Sequence, residues 1–259
     1  MSTTTLEVLF APAEFESLHH RNLRDTVCVV FDVLRATSSM VTALAHGATA
    51  IHPVSEIAEA LQLRQCQPDL LLAGERDGVR IEGHLTGGAG FEFGNSPREF
   101  TADRILGRTI ATTTTNGTRA LRACAPAAAV LLGSFLNLRA TAAHIQRLAP
   151  ANLLVVCSGT HDQAAYEDML GAGALCDSLW QNYADGAISD TAHVARKLYR
   201  LEENDLLAGL GQSRNGRRLL TLPALSADVA FCAQRDVFTL VAGMGPDGAV
   251  RALPVAGRA

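Results

Sequence analysis

Apolar residues along the chain fall into short runs that alternate with stretches of helical spacing. TVCVVFDV (26–33) is rich in β-branched residues and reads as a strand. In TSSMVTALAHG, Val41, Leu44 and Ala45 repeat at helical spacing, Thr37 can cap the helix and Gly47 can end it. The alternation then continues. Strands are expected at ATAIHPV (48–54), DLLLAGE (69–75), RTIATT (108–113), AAAVLLGSF (127–135) and ANLLVVCS (151–158). Helices are expected at SEIAEALQLRQ, capped by Ser55, at NLRATAAHIQRLA (137–149) and at AAYEDMLGAGALCDSLW (164–180). From about residue 187 the pattern is less regular: AHVARKLYRLE and ENDLLAGLG look helical, and SADVAFCAQRDVFTLVAGM mixes helix and strand. This order predicts an α/β fold, a mainly parallel sheet with helices on both faces. The glycine-rich segment 78–100 interrupts it and is long for a plain connection, so a functional loop or small subdomain is expected there.

In open α/β sheets, ligands bind beyond the carboxyl ends of the strands. Asp32, Arg35, Thr37, Ser38 and Ser39 follow the first expected strand, and Glu75 and Arg76 follow the third. Thr112 to Thr115, Asn116, Gly117, Thr118 and Arg119 follow the fourth; Ser134 and Asn137 follow the fifth. Ser158, Gly159, Thr160, His161 and Asp162 follow the sixth, with Glu167 and Asp168 about two turns on. In a parallel sheet all of these face one edge.

The stretch TTTTNGTR joins a strand to a helix. A helix N-terminus offers unpaired N–H groups and partial positive charge, so it favours anions. Gly117 permits close backbone approach, threonines add donors, and Arg119 adds a forked cation. Ordinary capping by Thr115, Asn116 or Thr118 is the alternative. A second arginine, Arg35, and carboxylates at further strand ends turn the reading toward an oxyanion site. Carboxylates beside such a site suit a divalent cation. Mg²⁺ prefers oxygen ligands, and no Cys/His cluster suits zinc. Each acid has its own structural alternative: Asp32 as a helix cap, Glu75 as an ion-pair partner, Glu167 and Asp168 as a solvated helix face.

Composition narrows the classes. The 259 residues are 48% hydrophobic, enough for a sizeable core. No apolar run approaches the roughly 20 residues of a membrane span, and MSTTTLEVLFAPAEFE lacks the basic start of a signal peptide. Net charge is −4 with no basic block, which argues against nucleic acid. Six scattered cysteines without a CxxC pair fit a reducing cytoplasm. Lys197, the sole lysine, follows no glycine loop, which excludes a P-loop NTPase. Gln163 stands where a cysteine phosphatase needs Arg after Cys157, and no GxSxG elbow is present. GAGALC (171–176) is half a dinucleotide fingerprint; helix packing accounts better for Gly171 and Gly173.

FDVLRATSSMVTALAHGA, LLAGERDG, GFEFGNSP, TTTTNGTRAL, GSFLN and VVCSGT with YED resemble, in order, the motifs of the 2-phosphosulfolactate phosphatases, the ComB family. They span about 27 to 180; SDTAHVARKLY and SRNGRRL fit its C-terminal part less specifically. Glu92 is a departure, standing where the family usually has Asp. The resemblance implies an α/β fold of two related subdomains, placed at 1–135 (with the 78–100 loop) and 136–259. It implies Mg²⁺-dependent hydrolysis of 2-phospho-3-sulfolactate to 3-sulfolactate and phosphate, a step toward coenzyme M. On that reading Asp32 and Arg35 are catalytic, and Asp32, Glu75, Glu167 and Asp168 hold Mg²⁺. The phosphoryl group meets Arg35 and the backbone of Asn116, Gly117 and Thr118, with Thr37, Thr114, Thr115 and Ser134 adding hydroxyls. Arg119 takes a second anion, sulfonate or carboxylate, and Asn95 with Ser96 closes over it. The expected partner is a small, doubly anionic phosphorylated substrate, with no nucleic acid or membrane; a homo-oligomer is left open. A phosphatase for another small phosphorylated acid and a non-catalytic anion binder of the same fold are the alternatives.

Overall fold

The computed structural model describes residues 4–254. The extreme start of the stretch read for a signal peptide lies outside them. Eleven strands form one sheet: β1 (Thr5–Leu9), β2 (Thr26–Phe31), β3 (Ala50–Pro53), β4 (Leu71–Arg76), β5 (Val79–Arg80), β6 (Thr109–Thr113), β7 (Ala129–Gly133), β8 (Asn152–Cys157), β9 (Ala187–Ile188), β10 (Val241–Met244) and β11 (Val250–Leu253). Their order is β5-β4-β6-β3-β11-β10-β7-β2-β8-β1-β9. The helices are α1 (Ala36–Ala45), α2 (Ile57–Cys66), α3 (Gly83–Thr86), α4 (Ala102–Ile105), α5 (Gly117–Cys124), α6 (Leu138–Leu148), α7 (Tyr166–Tyr183), α8 (Asp190–Glu202), α9 (Leu206–Gln212), α10 (Arg214–Leu220) and α11 (Ser226–Cys232). No helix among the described residues is long and apolar enough to cross a membrane.

The fold is α/β with a mixed, mostly parallel sheet. Strands β7, β2, β8, β1 and β9 run parallel to one another, as do β3, β6 and β4, with β5 antiparallel on the outer side of β4. The hairpin β10–β11 joins the two blocks through antiparallel pairings, meeting β3 at the single pair Val250–Ile51. The two blocks therefore run in opposite senses, which corrects the expectation that every strand end faces one edge. Strand-to-strand twist of roughly 20–25° accumulates to about 80–100° over the four steps from β2 to β3. The reversed block is thereby turned across the first, and the ends of β2, β4, β6 and β8 still meet. The 135/136 division falls just after β7, inside a sheet that continues across it through the β2–β8 pairing.

All six residues of β2 are buried, as a strand covered on both faces requires. Alternate residues serve different cores. Val27, Val29 and Phe31 join Leu153, Val155, Leu170 and Leu175 on one face, with α6 to α8. Cys28, Val30, Leu154 and Val156 join Met40, Val41 and Leu121 on the other, with α1 and α5. Gly171 and Gly173 are packing residues: a Cβ on Gly171 would lie 2.6 Å from Phe31 Cδ1, and one on Gly173 2.8 Å from Tyr199 Cβ. The six strands expected are present. Of the five others, β5 and β9 have two residues each, β10 and β11 form a hairpin, and β1, five residues long, lies in the N-terminal stretch that was read only for a signal peptide. In β4–β5 the turn is Asp77-Gly78, both at positive φ (54° and 76°), a dipeptide that suits a two-residue hairpin.

Candidate active site

A pocket lies where the ends of β2, β4, β6 and β8 meet α10. Its polar lining includes Asp32, Arg35, Glu75, Thr114, Asn116 and Arg218. Asp32, 8% exposed, ends β2. Its Oδ1 accepts Ala36 N–H at 3.0 Å and so caps α1. Its Oδ2 faces Gly117 closely enough that a Cβ there would stand 2.9 Å away. Burial pushes the Asp32 carboxyl up to about 6; Ala36 N–H and the Ser158 hydroxyl oppose this, and the charges of Glu167 and Glu75 add to it. Glu75 closes the far side. Its Oε1 accepts Thr115 N–H (3.0 Å) and Thr115 O–H (2.9 Å), and its Oε2 accepts Gly78 N–H (2.6 Å).

The TTTTNGTR junction divides its labour. Thr113 O–H bonds Ser55 O and Thr115 holds Glu75. Asn116 Oδ1 accepts His161 N–H at 3.1 Å, tying this loop to the one after β8. Thr114 Oγ1 is buried, lines the pocket and has no hydrogen-bond partner among the described residues. A buried hydroxyl in that state is suited to an absent ligand. Thr118 Oγ1 is likewise without a partner but does not line the pocket.

Arg35 is 4% exposed and lines the pocket. Its Nη1 pairs with Asp228 Oδ2 at 2.9 Å and its Nη2 donates to Gly78 O at 2.8 Å. Asp228 of α11 also accepts Ser96 O–H at 2.7 Å and pairs with Arg98 at 3.3 Å. Ser96 is thus a brace, while Asn95 reaches the pocket and uses its carbonyl to receive Ser39 O–H.

Several expected residues stand behind or outside the pocket. Thr37 Oγ1 lies 2.9 Å from Asp32 O and 2.8 Å from Gly133 O, and it receives Asp32 N–H; it locks β2 to α1. Ser134 bonds Asn137 Oδ1. Arg119 is corrected from substrate ligand to surface residue: its side chain is 53% exposed and pairs with Asp162 at 3.1 Å. Helix α5 buries Ala120, Leu121 and Cys124 against the core, which turns Arg119 outward.

The four carboxylates proposed for a metal do not form one cage. Among the described residues no group of three His, Cys, Asp or Glu side chains is arranged to hold a metal ion. Asp168 accepts Val33 N–H (2.8 Å), Ser158 O–H (3.1 Å) and Gly159 N–H (3.1 Å), so both its oxygens are engaged. Burial pushes its carboxyl well up, with the charges of Asp32 and Glu167 adding. Glu167 Oε1 accepts Asn215 N–H at 2.5 Å, and its buried Oε2 has no partner among the described residues. Burial raises its pKa as well. Neither acid lines the pocket; Asp32 and Glu75 do. Mg²⁺ commonly takes only one or two carboxylates and keeps water. Asp32 and Glu75 fit it because they line the pocket; the oxygens of Glu75 are engaged as fully as those of Asp168, which is set aside by its position behind the pocket.

Glu92 bonds Arg64 (2.5 Å) and Leu72 N–H (2.8 Å) and clamps α2 to β4 away from the pocket. The pocket residues the sequence reading missed are Leu34, Asp77, Gly78, Asn215, Arg218, Leu219 and Leu222; Thr160 and His161 were placed at the strand end but given no role. Asp77-Gly78 carried a hairpin signal. Residues 215, 218, 219 and 222 follow helical spacing, but nothing local in SRNGRRL says which face it presents.

An α/β fold with an anion-suited helix head beside buried carboxylates is an arrangement that suits a phosphate-ester hydrolase. The model of the 2-phosphosulpholactate phosphatase family matches residues 13–245, and the chain belongs to that family of phosphoric monoester hydrolases. Proteins named probable 2-phosphosulfolactate phosphatase are similar to it. The one from Caldicellulosiruptor saccharolyticus is 38% identical over 218 residues, 83% of this chain and 87% of the relative. The one from Caldanaerobacter subterraneus subsp. tengcongensis is 38% identical over 229 residues (88% and 91%), and that from Symbiobacterium thermophilum 39% over 221 (85% and 91%).

Proposed function

We propose that this enzyme hydrolyses 2-phospho-3-sulfolactate to 3-sulfolactate and inorganic phosphate, the coenzyme M type of reaction, with Mg²⁺ as its resident cation. The observation that carries the reading is the placement of Asp32: buried, held at Oδ1, and presenting Oδ2 to the head of α5. The names of the relatives support the choice of ester.

A dianionic phosphate meets Asp32, Glu75 and Asp77 in this pocket, and Arg35 is already compensated by Asp228. The other guanidinium of the pocket, Arg218, stands at its mouth, so a further cation beside Asp32 would favour entry of the phosphate. Mg²⁺ held by Asp32 and Glu75 would supply charge neutralisation at the phosphoryl oxygens. The N–H groups heading α5 and the Thr114 hydroxyl donate to those oxygens. Asp32 takes a proton from the attacking water. The water oxygen bonds to phosphorus, the ester P–O bond breaks, and the alkoxide leaves as the alcohol on taking up a proton from solvent, to which Asp32 gives up the proton it received.

The test is phosphate release from 2-phospho-3-sulfolactate and a panel of small phosphomonoesters, with Mg²⁺ and with EDTA. Mg²⁺-dependent release, greatest for the sulfolactate ester, is expected. Release that ignores EDTA would remove the cation, and a different best ester would replace the substrate. A phosphoenzyme trapped on Asp32 would replace the base role with a nucleophilic one.

A further inference from the structure

The pocket needs a cation for the part of the substrate that is not phosphate, and Arg119 does not reach it. Two guanidinium groups do. Arg35 is spent on Asp228 and Gly78 O. Arg218 donates only to the backbone carbonyl of Asp77 and forms no ion pair among the described residues. Its guanidinium carbon comes 3.8 Å from where a Cβ on Gly78 would stand, and Arg35 Nη2 comes 4.0 Å from the same point. The uncompensated charge therefore sits at the exposed mouth, beside the buried and compensated one.

Its position is built. Helix α10 shows the pocket one face, with Asn215, Arg218 and Leu219 at helical spacing, and Leu222 follows in the turn after it. Ser213 caps it through Gly216 N–H at 2.9 Å. Arg214 donates to Thr160 O at 3.0 Å, and Asn215 donates to Thr160 Oγ1 at 2.8 Å and to Glu167. These bonds fix α10 to the loop after β8 and to α7. The Asp77 carbonyl then aims the Arg218 fork across the mouth.

We infer that Arg218 is the specificity residue of this enzyme: it binds the acid group, carboxylate or sulfonate, that the ester carries besides its phosphate. The inference rests on the proposed phosphatase reading. A forked guanidinium suits either oxyanion and a plain alkyl ester offers it nothing. The enzyme thus selects phosphoesters of acids over those of simple alcohols.

The test uses three secondary phosphoesters: isopropyl phosphate, 2-phospholactate and 2-phospho-3-sulfolactate. In Arg218→Gln the ratio of kcat/KM for the acid esters to that for isopropyl phosphate should fall roughly 10–100-fold, as for a lost hydrogen bond to a charged group. The loss should lie mainly in KM, and Arg218→Lys should restore part of it. A fall for both acid esters assigns the carboxylate; a fall confined to the sulfolactate ester assigns the sulfonate. An unchanged ratio overturns the inference. Calorimetric titration with 3-sulfolactate separates the two readings. Binding that needs Arg218 in a protein that hydrolyses no ester would keep the subsite and sink the phosphatase; hydrolysis with an unchanged ratio would do the reverse.

Discussion

Gly117→Ala adds one methyl where the head of α5 passes Asp32. The new Cβ would stand 2.9 Å from Asp32 Oδ2 and 2.9 Å from Ala36 Cβ. Carbon pairs rest at about 3.5–4.0 Å, so the neighbours must retreat by roughly 0.5–1 Å. Neither can do so alone, since Ala36 N–H is bonded to Asp32 Oδ1 at 3.0 Å. The displacement therefore falls on the Asp32 carboxylate, on the head of α5, or on both. A misplacement near 1 Å at a reacting group costs about 10²-fold in rate. Overpacking costs about 1–3 kcal/mol, and the lost freedom of the unfolded chain returns about 0.4–1 kcal/mol. The net effect on stability is about 0–2.6 kcal/mol, or a Tm lower by at most about 10 °C for a chain of this size. The assay is phosphate release, read as kcat/KM at 25 °C, beside a thermal melt. Gly88→Ala is the control, because an added Cβ there meets nothing within 4 Å. A folded Gly117→Ala enzyme within about threefold of the parent would refute the claim that Asp32 and the α5 head act on one phosphate.

Other substitutions separate site from scaffold. Asp32→Asn should lower kcat by about 10³-fold or more while the protein stays folded, since base and charge are lost together; a burst-free progress curve near the parent rate would contradict this. Arg119→Ala should leave kcat/KM within about threefold, because only a surface pair with Asp162 is lost; a larger loss would return Arg119 to the site. Asp228→Ala strands Arg35 in a pair whose side chains are 3% and 0% exposed, and should cost about 3–5 kcal/mol in a denaturant melt; a cost below about 1 kcal/mol would show that the pair is not buried in solution. Burial alone would raise the Glu92 carboxyl, but Arg64 and Leu72 N–H outweigh it and hold it below its ordinary value. Its stabilising contribution is therefore complete above the unfolded value of about 4.3 and is lost as pH falls through the lower folded value. Glu92→Gln should flatten Tm against pH in that acid window; an unchanged slope would remove the assignment.

The elements with strong patterns were legible in the chain. TVCVVF is buried along its whole length, and Val41 and Leu44 pack where helical spacing put them. Asp32, Glu75, Thr114, Asn116 and Arg35 line one pocket, because residues just after strands emerge at strand ends whatever the rest of the chain does. Tertiary structure decided what these side chains face. Arg119 and Arg218 both lie on short helices, one in the first turn of α5 and the other in the last turn of α10, and only core packing turns one to solvent and the other to the pocket. The partner of Arg35 is Asp228, 193 residues away, in a stretch whose local pattern was ambiguous. Asp168 and Glu167 are adjacent, yet one is closed by three donors and the other keeps a buried oxygen unpartnered. The reversal of the sheet at β10–β11 was also beyond the sequence. Periodicity and capping are local, spanning a few residues, whereas strand direction and side-chain partners depend on groups that meet only after the chain has closed its long loops.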